Sequence, residues 1–284
     1  MSDDTHNVDR LTRYLREKPP VSYRTGLTLL DAITDGGARA GHVTVVGGLT
    51  GGGKSSLARQ MALDMAIDDR VLYVTLEEPE DEVRLSCAAK LARVSPRQLQ
   101  RTGTNEMTNS LLAARKLRII EPGRTSIDRF ERIMRWTDCP IVILDHVREM
   151  DGWIADERGR GVGHVGPTLI CTRLSQIAKD TGKALIVLQQ LRSPKFAGSK
   201  PSMYDLMDTS ALAQKAYLVV LVHRPHASTN HDDVAELIVR KNRYGPEGIL
   251  HYRWQGETGM LCGMVAAERE SLTCCKARKP SVPR

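Results

Sequence analysis

The chain has 284 residues, of which 41% are hydrophobic and 26% are charged, a composition typical of a globular protein with one large domain or two small ones. The first residues lack the apolar core of a secretory signal, and no later apolar run reaches membrane-spanning length, so we expect a cytoplasmic protein without a membrane partner. The six cysteines show no paired CxxC spacing, which argues against a disulfide framework or a zinc site. A net charge of +7 favours a polyanionic partner held through phosphate contacts, whereas 4% aromatic residues argue against a surface that stacks bases.

The N-terminal segment, residues 1–22, is predicted to form a short amphipathic helix and a linker. The helix should stop before Pro19, and its apolar face consists of Val8, Leu11, Tyr14 and Leu15. Such a helix buries its apolar face either on its own domain or on a neighbouring subunit. We expect one large domain over residues 23–264 and a basic, disordered tail over residues 265–284.

Short β-branched runs alternate with helical patterns along the central domain. The runs are apolar on successive residues, as in a parallel sheet that helices bury on both faces. The predicted parallel strands are residues 43–47, 71–76, 117–120, 141–145, 184–189 and 218–223. Residues 235–240 and 249–254 flank a turn with Gly and Pro, which predicts an antiparallel hairpin at the sheet edge.

Three other segments are less regular. Residues 151–167 and 191–202 are charged segments with many Gly or Pro residues, and loops of this length are either functional or disordered. The histidines and aspartates between His223 and Asp233 match no metal-ligand spacing, so we interpret them as a solvated loop.

The strongest motif is the run GLTGGGKS at residues 48–55, which fits a P-loop between a predicted strand and a predicted helix over residues 56–65. Its glycines allow successive backbone amides to turn towards phosphates, and the helix N-terminus adds positive potential. Lys54 should reach the β and γ phosphates of ATP, and the Ser55 hydroxyl should coordinate Mg²⁺. The predicted nucleotide-binding residues are Gly48, Gly51, Gly52, Gly53, Lys54, Ser55 and Ser56.

An apolar strand that ends in Asp145 has the form of a Walker B element, whose carboxylate holds Mg²⁺ through water. The next residue is His146 rather than the glutamate that many ATPases place there, so the general base has to come from another segment. Glu77 is our choice, because it follows a strand that we expect beside the P-loop strand. We interpret Glu78 as a solvated neighbour that caps the following helix.

These motifs together resemble the C-terminal motor domain of DnaB-type helicases. The matching segments are residues 25–31, the P-loop, residues 76–77, 143–145, 188–191 and 241–246, and the resemblance extends over about residues 23–254. RadA and KaiC proteins share the early part, but the KNRYGP turn at residues 241–246 and residues 205–216 are more similar to DnaB. The resemblance implies a RecA-like P-loop NTPase fold, an α/β structure with a mostly parallel twisted sheet and helices on both faces.

The resemblance also implies roles for individual residues. Lys54, Ser55, Asp145 and Glu77 match the family's nucleotide-binding and catalytic residues. Gln190 matches a sensor glutamine at the end of the strand beside Walker B, where it could respond to the γ-phosphate. Lys241 and Arg243 match the pair that the family inserts into the ATP site of the neighbouring subunit, which implies a homo-oligomer, expected to be a hexameric ring.

The sequence departs from the family at two places. No segment matches the family's N-terminal domain, which forms a collar and meets primase. In the segment that resembles the DNA-gripping loop, Met207 replaces a usual Arg and Ser210 replaces a Gly, which removes a phosphate contact and backbone freedom. The residues that could still contact single-stranded DNA are Arg192, Lys195, Lys200, Asp208, Ser210 and Lys215.

Our first functional interpretation is a ring-forming, ATP-hydrolysing motor on single-stranded DNA, a DnaB-like helicase or translocase in DNA replication, with a possible protein loader. The alternative is a RecA-like ATPase of the RadA or KaiC kind that acts as a loader, regulator or switch without unwinding DNA. A nucleotide-gated scaffold is a third possibility. The presence of Lys54, Asp145, Glu77 and Arg243 argues against that scaffold.

Overall fold

A computed structural model describes residues 21–153, 166–192, 199–206, 210–225 and 233–264. The predicted N-terminal helix, the basic tail and most of the 151–167 segment lie outside the described residues, as do Lys195, Met207 and Asp208. Within the described residues, no helix is both long enough and apolar enough to cross a membrane.

The helices are α1 (Thr28–Ile33), α2 (Lys54–Met65), α3 (Glu80–Ala92), α4 (Pro96–Thr102), α5 (Glu106–Ala113), α6 (Ile127–Trp136), α7 (Pro167–Thr181) and α8 (Ser210–Lys215). The strands are β1 (Ser22–Tyr23), β2 (Ala38–Arg39), β3 (Val43–Gly48), β4 (Val71–Thr75), β5 (Leu117–Ile120), β6 (Ile141–Asp145), β7 (Ala184–Gln190), β8 (Leu218–His223), β9 (Asp233–Asn242), β10 (Gly248–Gln255) and β11 (Met260–Gly263). The parallel strands lie within one or two residues of their predicted positions.

Nine strands form one sheet in the order β11-β10-β9-β8-β3-β7-β6-β4-β5, and β1 and β2 form a separate two-stranded ribbon. The strands from β8 to β5 pair in parallel, whereas β9, β10 and β11 are added by antiparallel pairing. All six parallel strands therefore have their C-terminal ends on the same side of the sheet. We call this side, which runs across the strands rather than along an outermost strand, the carboxyl edge. The predicted RecA-like α/β class, with its antiparallel hairpin, is confirmed.

The position of β4 corrects one expectation. The strand before Glu77 does not lie beside the P-loop strand β3, because β7 and β6 separate the two. Instead β4 pairs with β6, and Thr75 is level with Asp145. Glu77 is therefore brought next to the end of the Walker B strand rather than next to the P-loop strand.

The sheet is buried on both faces because the strand residues alternate between two hydrophobic clusters. Val46 and Tyr73 face a cluster formed with α1, α2 and α3. Val45 and Val74 face the opposite cluster, formed with α6, α7 and α8. This two-sided burial explains why the parallel strands are apolar on successive residues, and it fixes the loops at the carboxyl edge.

Candidate nucleotide site at the carboxyl edge

The P-loop connects β3 to α2 at the carboxyl edge. Gly51 and Gly53 have φ angles of 69° and 96°, in the left-handed region that glycine adopts without steric cost. A Cβ on Gly53 would also lie 2.7 Å from the indole ring of Trp254, which projects from β10. Glycine at position 53 is therefore required both by the backbone conformation and by the close approach of the tryptophan.

The Asp145 carboxylate at the end of β6 accepts hydrogen bonds from two side chains, and Lys54 of the P-loop is a further polar group of the site. Ser55 Oγ donates to Asp145 Oδ1 at 3.2 Å, and the buried Tyr73 hydroxyl donates to Asp145 Oδ2 at 2.5 Å. Burial raises the pKa of Tyr73 and the Asp145 charge adds to this effect, so the phenol remains a donor. Lys54 is only 8% exposed and forms no ion pair with a described carboxylate, which leaves its charge for a ligand.

Glu77 and His146 lie beside this group. The Glu77 side chain is 48% exposed, and its Oε2 is 3.5 Å from His146 Nδ1. Burial lowers the pKa of His146, and the nearby Lys54 lowers it further although Glu77 opposes both effects. The imidazole next to Asp145 is thus held in its neutral form, and the exposed carboxylate of Glu77 faces the open edge.

Glu78 does not cap the following helix, so that prediction is wrong. Helix α3 begins at Glu80, with Pro79 at its N-cap and no side-chain cap. Glu78 instead accepts a hydrogen bond from the buried Arg59 of α2, while Thr75 Oγ1 donates to the Glu78 carbonyl at 2.6 Å. The second carboxylate of the pair has a structural partner, and only the first is available to a ligand.

The Ser56 hydroxyl forms hydrogen bonds with other groups of the protein. Its Oγ donates to the Gly259 carbonyl at 2.8 Å and accepts from Lys90 Nζ at 2.7 Å. Lys90 also donates to the carbonyls of Thr258 and Gly259. The Ser56 backbone amide belongs to the first turn of α2, where amides have no acceptor within the helix, so this amide is the group that can meet a phosphate.

Gln190 ends β7, between the P-loop strand and the Walker B strand. Its Nε2 donates to Thr50 Oγ1 at 2.7 Å, and Gly48 of β3 is its neighbour in the sheet. The glutamine that the resemblance assigns as a sensor therefore contacts the P-loop directly.

Arg243 lies at the opposite edge of the sheet, on the turn between β9 and β10. Its backbone amide donates to the Tyr217 carbonyl at 3.2 Å, at the start of β8, and its side chain is exposed. This end of β8 is level with the start of β3, whereas the P-loop follows the other end. Six residues of strand span roughly 20 Å, so Arg243 is distant from its own P-loop.

The turn that carries Arg243 is fixed by contacts on several sides. The Arg39 guanidinium lies 4.5 Å from the ring centroid of Tyr244, and Asn242 Nδ2 donates to the Ile33 carbonyl at 2.7 Å. Lys241 Nζ donates to the Ala213 and Gln214 carbonyls at the end of α8. Burial and the nearby Arg243 lower the pKa of Lys241. Of the pair that the resemblance assigns to a neighbour's site, Lys241 is bonded within its own chain and Arg243 projects outward.

Of the six residues predicted to contact DNA, Lys195 and Asp208 lie outside the described residues, and the other four differ in their surroundings. Lys200 is engaged with Glu236, at 2.8 and 2.7 Å from its two carboxylate oxygens. Arg192 and Lys215 are exposed, and Ser210 begins α8.

Three groups at the site escaped the sequence analysis: Arg59, Tyr73 and Lys90. Each lies within an apolar helix or strand pattern and is buried in the fold. The available signal was a charged or phenolic residue on a face that should be apolar, because such a residue is buried only with a partner. The partners are distant in sequence, so the pattern alone does not identify them.

The chain matches the family model described as the DnaB-like helicase C terminal domain over residues 22–261. It is 29% identical over 252 residues to the replicative DNA helicase DnaB of Leifsonia xyli subsp. xyli, an alignment that covers 82% of this chain and 54% of that protein. The chain thus spans about half the length of the curated relatives it matches.

Two solved structures share the fold. The first, described as an ATPase domain, superimposes with a TM-score of 0.75 at 19% identity and covers 93% of this chain and 100% of that chain. The second, a DnaB-like replicative helicase described with its interactions with primase, gives a TM-score of 0.76 at 19% identity and covers 93% of this chain and 67% of that chain. Because the family match extends over most of the residues, this protein belongs to the DnaB-like helicase C-terminal domain family.

Proposed function

We propose that this protein is the ATP-hydrolysing motor of a ring that moves on single-stranded DNA, as a DnaB-like helicase or translocase. The observation that carries the proposal is the division of the site between two edges of the sheet. The P-loop, Asp145 and Glu77 lie at the carboxyl edge, and the exposed Arg243 lies at the other.

The residues at the carboxyl edge fit ATP and Mg²⁺. Ser55 Oγ and Asp145 Oδ1 are 3.2 Å apart, which is close enough for both to take part in binding one Mg²⁺ ion beside the P-loop. Lys54 is buried without a carboxylate partner among the described residues, so its charge is available to the β and γ phosphates. When bound, Mg²⁺ neutralises charge on the phosphates during transfer.

Glu77 is the residue that we assign as general base. Its carboxylate is half exposed at the carboxyl edge and lies near the Walker B aspartate through the β4–β6 pairing. Glu78 is held by Arg59 and therefore does not compete for this role. Gln190, bonded to Thr50 of the P-loop, is placed to respond to the γ-phosphate.

Arg243 requires a second subunit if it acts in hydrolysis. It lies about six strand residues from its own P-loop edge, roughly 20 Å, which exceeds the reach of an arginine side chain. A ring places this edge of one subunit against the carboxyl edge of the next, and Arg243 then stabilises the charge on the phosphoryl group in transfer. We expect the ring to be hexameric, as the resemblance implies.

A DNA-stimulated ATPase assay tests the proposal. We expect single-stranded DNA to increase ATP turnover several-fold and expect Lys54→Ala to abolish turnover with or without DNA, because the P-loop loses its phosphate-binding charge. Strand displacement on a forked duplex then separates a helicase from a translocase. Turnover that DNA leaves unchanged supports a switch or loader, and unchanged turnover in Lys54→Ala contradicts the nucleotide site itself.

Salt dependence provides a second measure of the DNA contact. If the protein holds single strands through phosphates, the logarithm of its affinity should fall with the logarithm of salt concentration at a slope of about −0.7 per phosphate contacted. Met207→Arg should strengthen binding because it adds a phosphate contact in the predicted DNA loop. If neither added salt nor Met207→Arg changes the affinity for single-stranded DNA, the assignment of this loop to DNA binding is wrong.

A further inference from the structure

His146 has a property that the nucleotide site does not use. Its side chain is 3% exposed, and its buried Nδ1 has no hydrogen-bond partner among the described residues. The carboxylate oxygen Glu77 Oε2 lies 3.5 Å from this nitrogen, which is beyond the usual hydrogen-bond distance. An unpaired nitrogen inside a protein calls for an explanation, and a missing ligand is one of the few available.

The surroundings of this nitrogen are those of a cation site. One ligand atom from each of Glu77, Asp145 and His146 can be chosen so that all three lie within 4.8 Å of one another. Ligand atoms around a small dication at 2.0–2.2 Å lie about 3 Å apart, so modest side-chain rotations would close the group around an ion. Glu77 is half exposed and can make such a rotation.

Glu149 completes the arrangement on the other side of the imidazole. Its Oε1 is 4.0 Å from His146 Nε2, in the one-turn helix that follows β6. A histidine that binds a metal usually donates its second ring N–H to a carboxylate, which orients the ring and fixes the tautomer. The ring of His146 thus has Glu149 near Nε2 and Glu77 near the unpaired Nδ1, and Asp145 belongs to the same group of possible ligands.

We propose that Glu77, Asp145 and His146 form a second cation site that binds a first-row transition-metal dication through His146 Nδ1. Imidazole nitrogen is a poor ligand for Mg²⁺ but a good one for transition metals, whereas the two carboxylates suit either class. The site shares Asp145 with the Mg²⁺ position assigned to Ser55 and Asp145 and differs from it in its other ligands, which are Glu77 and His146 instead of Ser55. One consequence rests on the proposed function of Glu77 as general base. A cation at this site also reduces ATP turnover, because it occupies the carboxylate that should activate water.

Binding of Mn²⁺ in the absence of nucleotide tests the site directly. Mn²⁺ is paramagnetic and has little affinity for thiols, so the cysteines of the chain do not compete. We expect electron spin-echo spectra of the bound ion to show modulation from one coordinated imidazole nitrogen. His146→Gln should remove this modulation and lower the Mn²⁺ affinity by about tenfold or more.

His251→Gln is the matched control. His251 Nε2 lies 3.4 Å from a Glu236 carboxylate oxygen, a contact like that of His146 with Glu77 but outside the three-residue group. This control should keep both the nitrogen modulation and the affinity. Nitrogen modulation that is missing in the wild-type protein, or that persists in His146→Gln, overturns the proposal.

Glu77→Gln addresses the case in which the His146 variant fails to fold. The half-exposed Glu77 side chain is replaceable without disturbing the core, and its loss should weaken Mn²⁺ binding while the remaining bound ion keeps its nitrogen modulation. Unchanged Mn²⁺ affinity in this variant contradicts the site. Turnover with Mg²⁺ alone, measured on the same wild-type sample, reports the proposed function separately: activity without nitrogen modulation rejects only the second cation site.

Discussion

The two edges of the central sheet differ in how their charged side chains are paired and exposed. At the carboxyl edge some charged groups are paired within the chain, as Asp145 is with Tyr73 and Arg59 is with Glu78, while Lys54 and Glu77 are left for a ligand. At the opposite edge the turn is fixed by stacking on Arg39, yet Arg243 extends into solvent. One edge thus has groups available to a ligand, and the other presents an exposed arginine that we propose acts on a neighbouring subunit.

The largest predicted effect tests whether Arg243, at the edge opposite the P-loop, takes part in catalysis. Arg243→Ala should lower ATP turnover by about three to five powers of ten while nucleotide binding is kept, because the transferring phosphoryl group loses a stabilising charge. Steady-state turnover and binding of a fluorescent nucleotide measure the two quantities separately.

Mixing distinguishes a residue that acts across an interface from one that only supports assembly. Arg243→Ala and Lys54→Ala subunits should each be inactive alone, but their mixture contains interfaces with an intact Lys54 and an intact Arg243. Those interfaces should recover turnover. A mixture that remains inactive while its subunits demonstrably exchange contradicts the ring, and loss of assembly in Arg243→Ala indicates a structural contact instead.

The next largest effect concerns the two carboxylates after β4. Glu77→Gln should bind ATP but hydrolyse it about two to four powers of ten more slowly, since the amide keeps the shape and loses the basicity. Single-turnover hydrolysis is the measurement, and the exposed Glu82→Gln on α3 is the control that should keep full activity. If Glu77→Gln turns over ATP at the normal rate, the general base lies elsewhere.

Glu78→Gln should affect stability more than catalysis. The change removes the carboxylate that pairs directly with the buried Arg59, and we expect the free energy of unfolding to fall by about 1–3 kcal/mol. Urea denaturation measures this loss. A drop in turnover to the level of Glu77→Gln, with unchanged stability, would reverse the assignment of the two glutamates.

A separate prediction concerns stability alone, as a pH dependence that arises from Lys90. Burial lowers the pKa of this lysine to about 7, and the neighbouring Arg59 contributes, while Cys87 opposes the shift. An unfolded lysine titrates near pH ~10.4. Between these values the unfolded chain binds the proton that the folded chain has lost, so the free energy of unfolding should rise as the pH rises from about 7 to about 10.

Lys90→Met should remove this contribution. Burial also raises the pKa of Cys87 to about 11 and the charge of Lys90 opposes this shift, so the difference between wild type and variant reports the lysine together with its effect on Cys87. Chemical denaturation at several pH values between 7 and 10 is the measurement. A difference that does not change with pH shows that Lys90 keeps its proton in the folded protein.

The sequence allowed most of the fold to be predicted, since the parallel strands are apolar runs whose period is set by burial on two faces. Strand order could not be predicted in the same way. The position of β4 beside β6 is decided by pairing between Tyr73 and Ile143 and their neighbours, which no local pattern reports. Strand β11 was also missed, because Met260–Gly263 is short and has no β-branched residue.

The site shows the same limit at the level of single residues. The P-loop and Asp145 were found because their chemistry is concentrated in consecutive residues. Arg59 and Glu78 are 19 positions apart, and their pairing depends on how α2 packs against the end of β4, so Glu78 was interpreted as a helix cap. A pattern along the chain identifies a binding loop more readily than it identifies which of two adjacent carboxylates is free.

The contact between Trp254 and Gly53 makes this tryptophan an intrinsic fluorescence probe of the P-loop. Trp153 is buried on the other face of the sheet and Trp136 is 91% exposed, whereas the Trp254 indole lies against the P-loop and under the Arg224 guanidinium. A nucleotide that shifts the loop alters the surroundings of this indole. Its emission therefore allows occupancy of the P-loop to be followed without any attached dye.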